Sequence, residues 1–201
     1  MISEKNALLI LLARILDYPD QSYKEHELVY KEFISENFPS ASVREEVSTR
    51  LRPLFEIQLE ELQEIYVDTF DYKEKTNLYL TAHELGDSKK RGAALIQLQK
   101  LIMESGYEWN GKELADFIPM LLEFLAVAPE EEKVFKLSRR VAYAVSRIMI
   151  HLQEGNPYKK AVELLMMYAF EGLTEEEISL LENAREEADL NELPYPLMYG
   201  S

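Results

Sequence analysis

The chain has 201 residues, 47% of them hydrophobic and 29% charged, with 22 basic against 37 acidic side chains and a formal net charge of −15. This composition excludes disordered and fibrous chains, and the negative field disfavours phosphate backbones, so nucleic acid is not an expected partner. With no cysteine there is no disulfide, iron–sulfur cluster, zinc–cysteine site or thiol nucleophile.

The opening Met1-Ile-Ser-Glu-Lys5 has no basic leader, and the apolar run from Ala7 to Ala13 ends at Arg14 without a small-residue cleavage site. No apolar stretch approaches the ~18 residues that read as a membrane span, so no membrane insertion and a cytoplasmic location are expected. Leu8, Leu11, Leu12, Ile15 and Leu16 form one helical stripe, stopped at Asp17-Tyr18-Pro19. A second helix is expected over Ser22 to Asn37 and a third from Ser42. A fourth should start at Pro53, where a missing N–H costs nothing, and carry Phe55, Leu59, Leu62, Tyr66 and Phe70 inward.

Lys73 to Glu84 reads as helix, closed by Gly86, with Asp87 or Ser88 capping the next helix from Lys89; Leu95, Leu98, Leu101 and Ile102 supply its buried side. Further helices are expected over Lys112 to Ala128, Glu130 to Leu152, Tyr158 to Phe170 and Thr174 to about Ala188, the last opening on the capping-box spacing of Thr174 and Glu177. No sustained alternation of period two appears, so the fold class is all-α: one globular helical domain over 1–172, of roughly eight to ten helices counting the last. An acidic C-terminal helix and tail, 173–201, reads as a peripheral, mobile appendage.

Catalytic and metal patterns are sparse. Gly106 to Glu113 has the phosphate-loop spacing up to Glu113, whose carboxylate would repel phosphate, and Tyr107 and Trp109 crowd a loop that needs bare backbone; a helix–helix turn with Trp109 buried is the better reading. The three histidines stand in no HExxH or ExxH arrangement. No metal, cofactor or catalytic residue is expected, and the chain does not read as an enzyme.

Two features call for partners or grooves. Lys89-Lys90-Arg91 would place cations at a helix N-terminus, which the dipole disfavours. Either they pair with nearby carbonyls and carboxylates, or they hold the acidic final helix or an acid on a partner. Pro119, expected mid-helix, would bend its helix and open a groove, or mark a packing kink.

Four stretches then carry a resemblance: Leu12 to Pro19, Tyr66-Val-Asp-Thr-Phe-Asp-Tyr72 with Leu78-Tyr-Leu-Thr81, His83-Glu-Leu-Gly-Asp-Ser-Lys-Lys-Arg-Gly92, and Ile118-Pro-Met-Leu-Leu-Glu-Phe-Leu125. They closely resemble the NarJ-type nitrate reductase assembly chaperones, also called nitrate reductase delta subunits, within the TorD/DmsD/NarJ group of molybdoenzyme maturation proteins; the likeness covers Leu8 to Phe170. The resemblance implies a TorD-like helical bundle, cofactor-free and non-catalytic. It also implies binding of the N-terminal segment of the apo catalytic molybdenum subunit, support for molybdenum cofactor insertion and delayed docking on the membrane subunit. Such a chaperone is absent from the finished enzyme.

The wider group carries a Glu-x-x-Asp-His pattern near its peptide site; here Glu113 and Asp116 keep the acids and Phe117 replaces the histidine. A basic amphipathic peptide would be steered by the negative field into an apolar groove. Candidate walls are Tyr66, Phe70, Leu78, Tyr79, Phe117 and Leu121; candidate polar contacts are Asp68, Asp71, His83, Asp116 and Glu123. Contact with cofactor delivery proteins and the choice between monomer and weak homodimer stay open. Two rivals remain at this level: a helical adaptor for another basic peptide, and an enzyme that would betray itself by nucleotide binding or turnover.

Overall fold

The computed structural model describes residues 2–86, 88–108 and 111–192. Helix α1 (Glu4–Ile15) starts on Ser3, whose hydroxyl accepts from the Asn6 amide, and buries the predicted leucine stripe. α2 (Gln21–Glu25) and α3 (Glu27–Asn37) follow, then α4 (Ala41–Glu56), α5 (Leu59–Tyr66) and a π-helical turn (Val67–Asp71). The chain continues through α6 (Leu80–Leu85), α7 (Arg91–Glu104), α8 (Ile118–Val127) and α9 (Glu132–His151). It ends with α10 (Pro157–Leu164), a second π turn (Leu165–Ala169) and α11 (Glu175–Glu192).

The architecture is all-α. Among the described residues the only β-type pairing is an isolated bridge between Tyr79 and Phe117. α1 lies at the centre, packed along α8 and touching α10 and the second π turn, while α9 closes the core from the far side with Leu137, Val141, Val145 and Ile148. Among the described residues no helix is long and apolar enough to cross a membrane.

Several boundaries differ from the expected ones, each for a local reason. The helix expected over Ser22 to Asn37 breaks at His26 into α2 and α3. Pro53 does not start a helix but sits inside α4, where burial of Val47, Leu51 and Leu54 on one face carries the helix through the lost backbone bond. The inward stripe after it holds for Leu62, Tyr66 and Phe70, whereas Phe55 and Leu59 are half-buried. Leu98 and Ile102 are the buried residues of α7, with Leu95 and Leu101 half-buried.

Lys73 to Glu84 is not one helix. Residues 73–77 form a turn and Leu78-Tyr79 is extended, because its backbone pairs with residues 116–118. Nor does one helix run from Lys112: residues 111–117 are irregular and α8 starts at Ile118. Pro119 therefore occupies the first turn, where no backbone bond is lost, and it does not sit mid-helix to bend it. The expected buried turn at Trp109, a cap from Asp87 and the tail 193–201 fall outside the described residues.

α11 opens as predicted: Glu177 accepts from the Thr174 amide at 2.8 Å and Thr174 Oγ1 accepts from the Glu177 amide at 3.2 Å. It packs on α6 and α9, and Arg139 of α9 donates to both Glu177 oxygens at 2.8 and 2.7 Å. That guanidinium and the Thr174 amide hold the Glu177 carboxyl down at about 2.

Candidate functional site: a groove along the first helix

The residues behind the family likeness form a cross-brace. The Leu80 amide donates to the Asp116 carbonyl at 2.9 Å and the Ile118 amide to the Leu78 carbonyl at 2.8 Å. Asp116 is fully buried and accepts from the Thr81 amide at 3.1 Å and from the Thr81 hydroxyl, while Arg91 Nη2 lies 3.6 Å from the same carboxylate oxygen. Arg91 also donates to Thr81 Oγ1 at 2.9 Å and stands 5.9 Å from the Tyr79 ring centre. The basic run at 89–91 thus does meet an acid through Arg91, though that acid belongs neither to the final helix nor to a partner.

The neighbouring motif residues are also turned inward. His83 is buried with Nε2 2.8 Å from the Asn77 carbonyl, and Glu84 takes a two-pronged ion pair from Arg140 at 2.6 and 2.8 Å. Gly86 sits at φ +56° and ψ −136°, open to glycine and strained for residues with a Cβ. This brace locks α6 and the start of α7 to α8 and α9.

The structure does not assemble the predicted contact residues into one wall. Tyr66 and Phe70 pack edge-on against Tyr158, with ring centres 5.9 and 5.0 Å away, and the Tyr66 hydroxyl donates to the Leu16 carbonyl at 3.3 Å. Their burial pushes the Tyr66 and Tyr158 phenols well above the ordinary range. Leu78 and Leu121 are likewise core side chains. Asp68 and Asp71 are exposed on the first π turn and Tyr79 is half-buried beside a hollow of about 220 Å³ shared with Asp71 and Arg91. Phe117 and Glu123 line a different hollow.

That second hollow, about 280 Å³, runs between α1 and the segment leading into α8, with Phe117, Pro119, Met120 and Glu123 on one side. It shares Arg14 and Asp17 with a larger cavity of about 420 Å³ between α1 and α2–α3. Together they form an open groove along α1. Leu11, Tyr23, Val29 and Phe33 give the larger half an apolar lining, and Tyr23 stacks on Phe55 with ring centres 5.4 Å apart. Arg14 is turned to Glu123 at 2.8 Å, whereas Asp17, shared by both halves, and Asp20, in the larger one, make no ion pair among the described residues. The Ser22 hydroxyl, 2.6 Å from Asp20, holds that carboxyl below its usual range.

Sequence reasoning missed Arg14, Asp17, Tyr23 and Phe33. Asp17-Tyr18-Pro19 was visible as a helix stop and as part of the family likeness, and nothing local says that the chain behind it folds back along α1.

Fold and groove define an all-α protein with an open, acid-bordered apolar surface, a design suited to holding a peptide. The chain belongs to the nitrate reductase delta subunit family, whose model matches residues 39–154. It is 34% identical over 120 residues to the probable nitrate reductase molybdenum cofactor assembly chaperone NarJ of Bacillus subtilis, covering 60% of this chain and 65% of that one. Against the Escherichia coli K12 chaperone NarJ it is 30% identical over 164 residues, 80% of this chain and 69% of the relative. The probable chaperone NarW of the same strain is 23% identical over 185 residues, 90% and 76% of the two chains. The match thus spans just under two thirds of the Bacillus relative and slightly more of the Escherichia coli one.

Proposed function

We propose that this chain is the assembly chaperone of a respiratory nitrate reductase. It binds the N-terminal segment of the apo catalytic subunit, keeps that subunit receptive to the molybdenum cofactor and delays docking on the membrane subunit until the cofactor is in. It then leaves, works in the cytoplasm and carries no cofactor or catalytic step of its own. The names of the relatives support the client class; the observation that carries the binding mode is the groove along α1.

The physics of such a site is undemanding. A helical segment laid in the groove buries apolar side chains at about 1.5–3 kcal/mol each, and the net charge of −15 speeds encounter with a basic segment. Of the residues nominated from sequence, Phe117 and Glu123 border the groove, and Asp68, Asp71 and Tyr79 remain accessible as secondary contacts. Cofactor delivery proteins would approach the chaperone–client complex, and a free groove allows weak self-association at high concentration.

Deleting the gene tests this function in cells. The catalytic subunit should still be made, but without molybdenum and off the membrane, and the full chain supplied in trans should restore both. Normal molybdenum content in the deletion strain would refute the proposal.

A further inference from the structure

The two halves of the groove differ in a way the chaperone reading does not require. Every residue bordering the larger cavity lies between Ile10 and Phe33, whereas the smaller one also draws on residues 112–123. The cavity is open and mostly apolar, and its outer wall is thinly held: α3 buries only Ile34 among its eleven residues and leaves Val29 exposed. At its mouth the charges are unbalanced. Among the described residues Arg14 is taken by Glu123, His26 also borders the cavity, and Asp17 and Asp20 accept from the neighbouring Tyr18, Ser22 and Tyr23 amides and the Ser22 hydroxyl without an ion pair.

We propose that the cleft between α1 and α2–α3 is the specificity pocket of the chaperone: it takes one large apolar side chain of the client segment, with a Lys or Arg of that segment one helical turn away set against Asp17 and Asp20. This rests on the chaperone reading and sharpens it to one end of the groove. Apolar walls with two carboxylates that make no ion pair among the described residues fit a cationic amphipathic helix, whose residues three or four apart share a face. The same carboxylates exclude acidic peptides and phosphate-bearing ligands. The paired acids make this end of the groove selective for a cationic segment, while the Phe117 half supplies general apolar contact.

The test is calorimetric titration of the full chain with a peptide of about 20 residues, some 30 Å of helix, taken from the N-terminus of its own nitrate reductase catalytic subunit. Asp17→Asn with Asp20→Asn should weaken binding about two- to fivefold per carboxylate at low salt, with the difference fading at high salt. Val29→Trp, a change at an exposed wall that fills the cleft, should weaken it about tenfold or more. Circular dichroism checks that both variants are folded. Wild-type affinity in both folded variants would overturn the pocket while leaving the chaperone reading intact. No binding by the wild-type chain would sink both.

Discussion

Replacing Asp116 separates a structural from a contact role for the most conspicuous acid in the motif. The carboxylate is fully buried and serves the Thr81 amide and hydroxyl, with Arg91 at 3.6 Å. Asp116→Ala strips the acceptor from two buried donors, each worth about 1–3 kcal/mol when left unsatisfied. The Thr81 hydroxyl can turn elsewhere and Arg91, about a quarter exposed, can reach water, so the lower end applies and the sum is about 2 kcal/mol. With a urea slope of about 2 kcal/mol/M, the unfolding midpoint should fall by ~1 M. Asp116→Asn keeps an acceptor for the Thr81 amide and should lose about half as much. Urea titration followed by far-ultraviolet circular dichroism reads both. An alanine variant within ~1 kcal/mol of wild type, or an asparagine variant as damaged as alanine, would refute the brace; selective loss of peptide affinity with full stability would return Asp116 to the contact surface.

Three other outcomes follow from the same geometry. Glu84→Ala leaves the Arg140 guanidinium without its two-pronged partner and should cost about 3 kcal/mol, tempered because Arg140 is one-third exposed; urea unfolding measures it, and a neutral result would contradict it. Pro119→Ala should shift stability by less than ~1 kcal/mol, since the ring sits in the first turn; a change near the ~3 kcal/mol of an interior proline would mean a kink exists after all. Glu177 is held at about 2 against an ordinary 4.5, so its contribution is complete above 4.5 and lost as pH falls from there through 2. Hydrogen exchange in α11 should therefore rise across that window in the wild type and be raised already at neutral pH in Glu177→Gln, with equal protection in the two proteins counting against the anchor.

Much of the helical frame was legible because its signals are local. The stripe from Leu8 to Leu16 and the reciprocal Thr174–Glu177 cap need only residues a few positions apart. Prolines were misread for the opposite reason: Pro53 was expected to start a helix and lies inside α4, Pro119 was expected mid-helix and lies in the first turn of α8, and the burial that decides this comes from distant side chains. The extended Leu78-Tyr79 segment was hidden in helical composition, since the partner that pulls it straight is some forty residues away at residues 116–118. For the site the limit is sharper. Core and groove use the same apolar residue types, so Leu121 and Phe70 looked as eligible as Phe117 and only packing sends them inside. The groove itself is built from two separated stretches that meet across α1.

Purifying the full chain from its own cells grown without oxygen on nitrate, and identifying by mass spectrometry what comes with it, puts the central claim to its most direct test. The expected result is the catalytic subunit of nitrate reductase, lacking molybdenum and released by an excess of its own N-terminal peptide. Recovery of only the mature, cofactor-loaded enzyme, or of no catalytic subunit at all, would contradict the account.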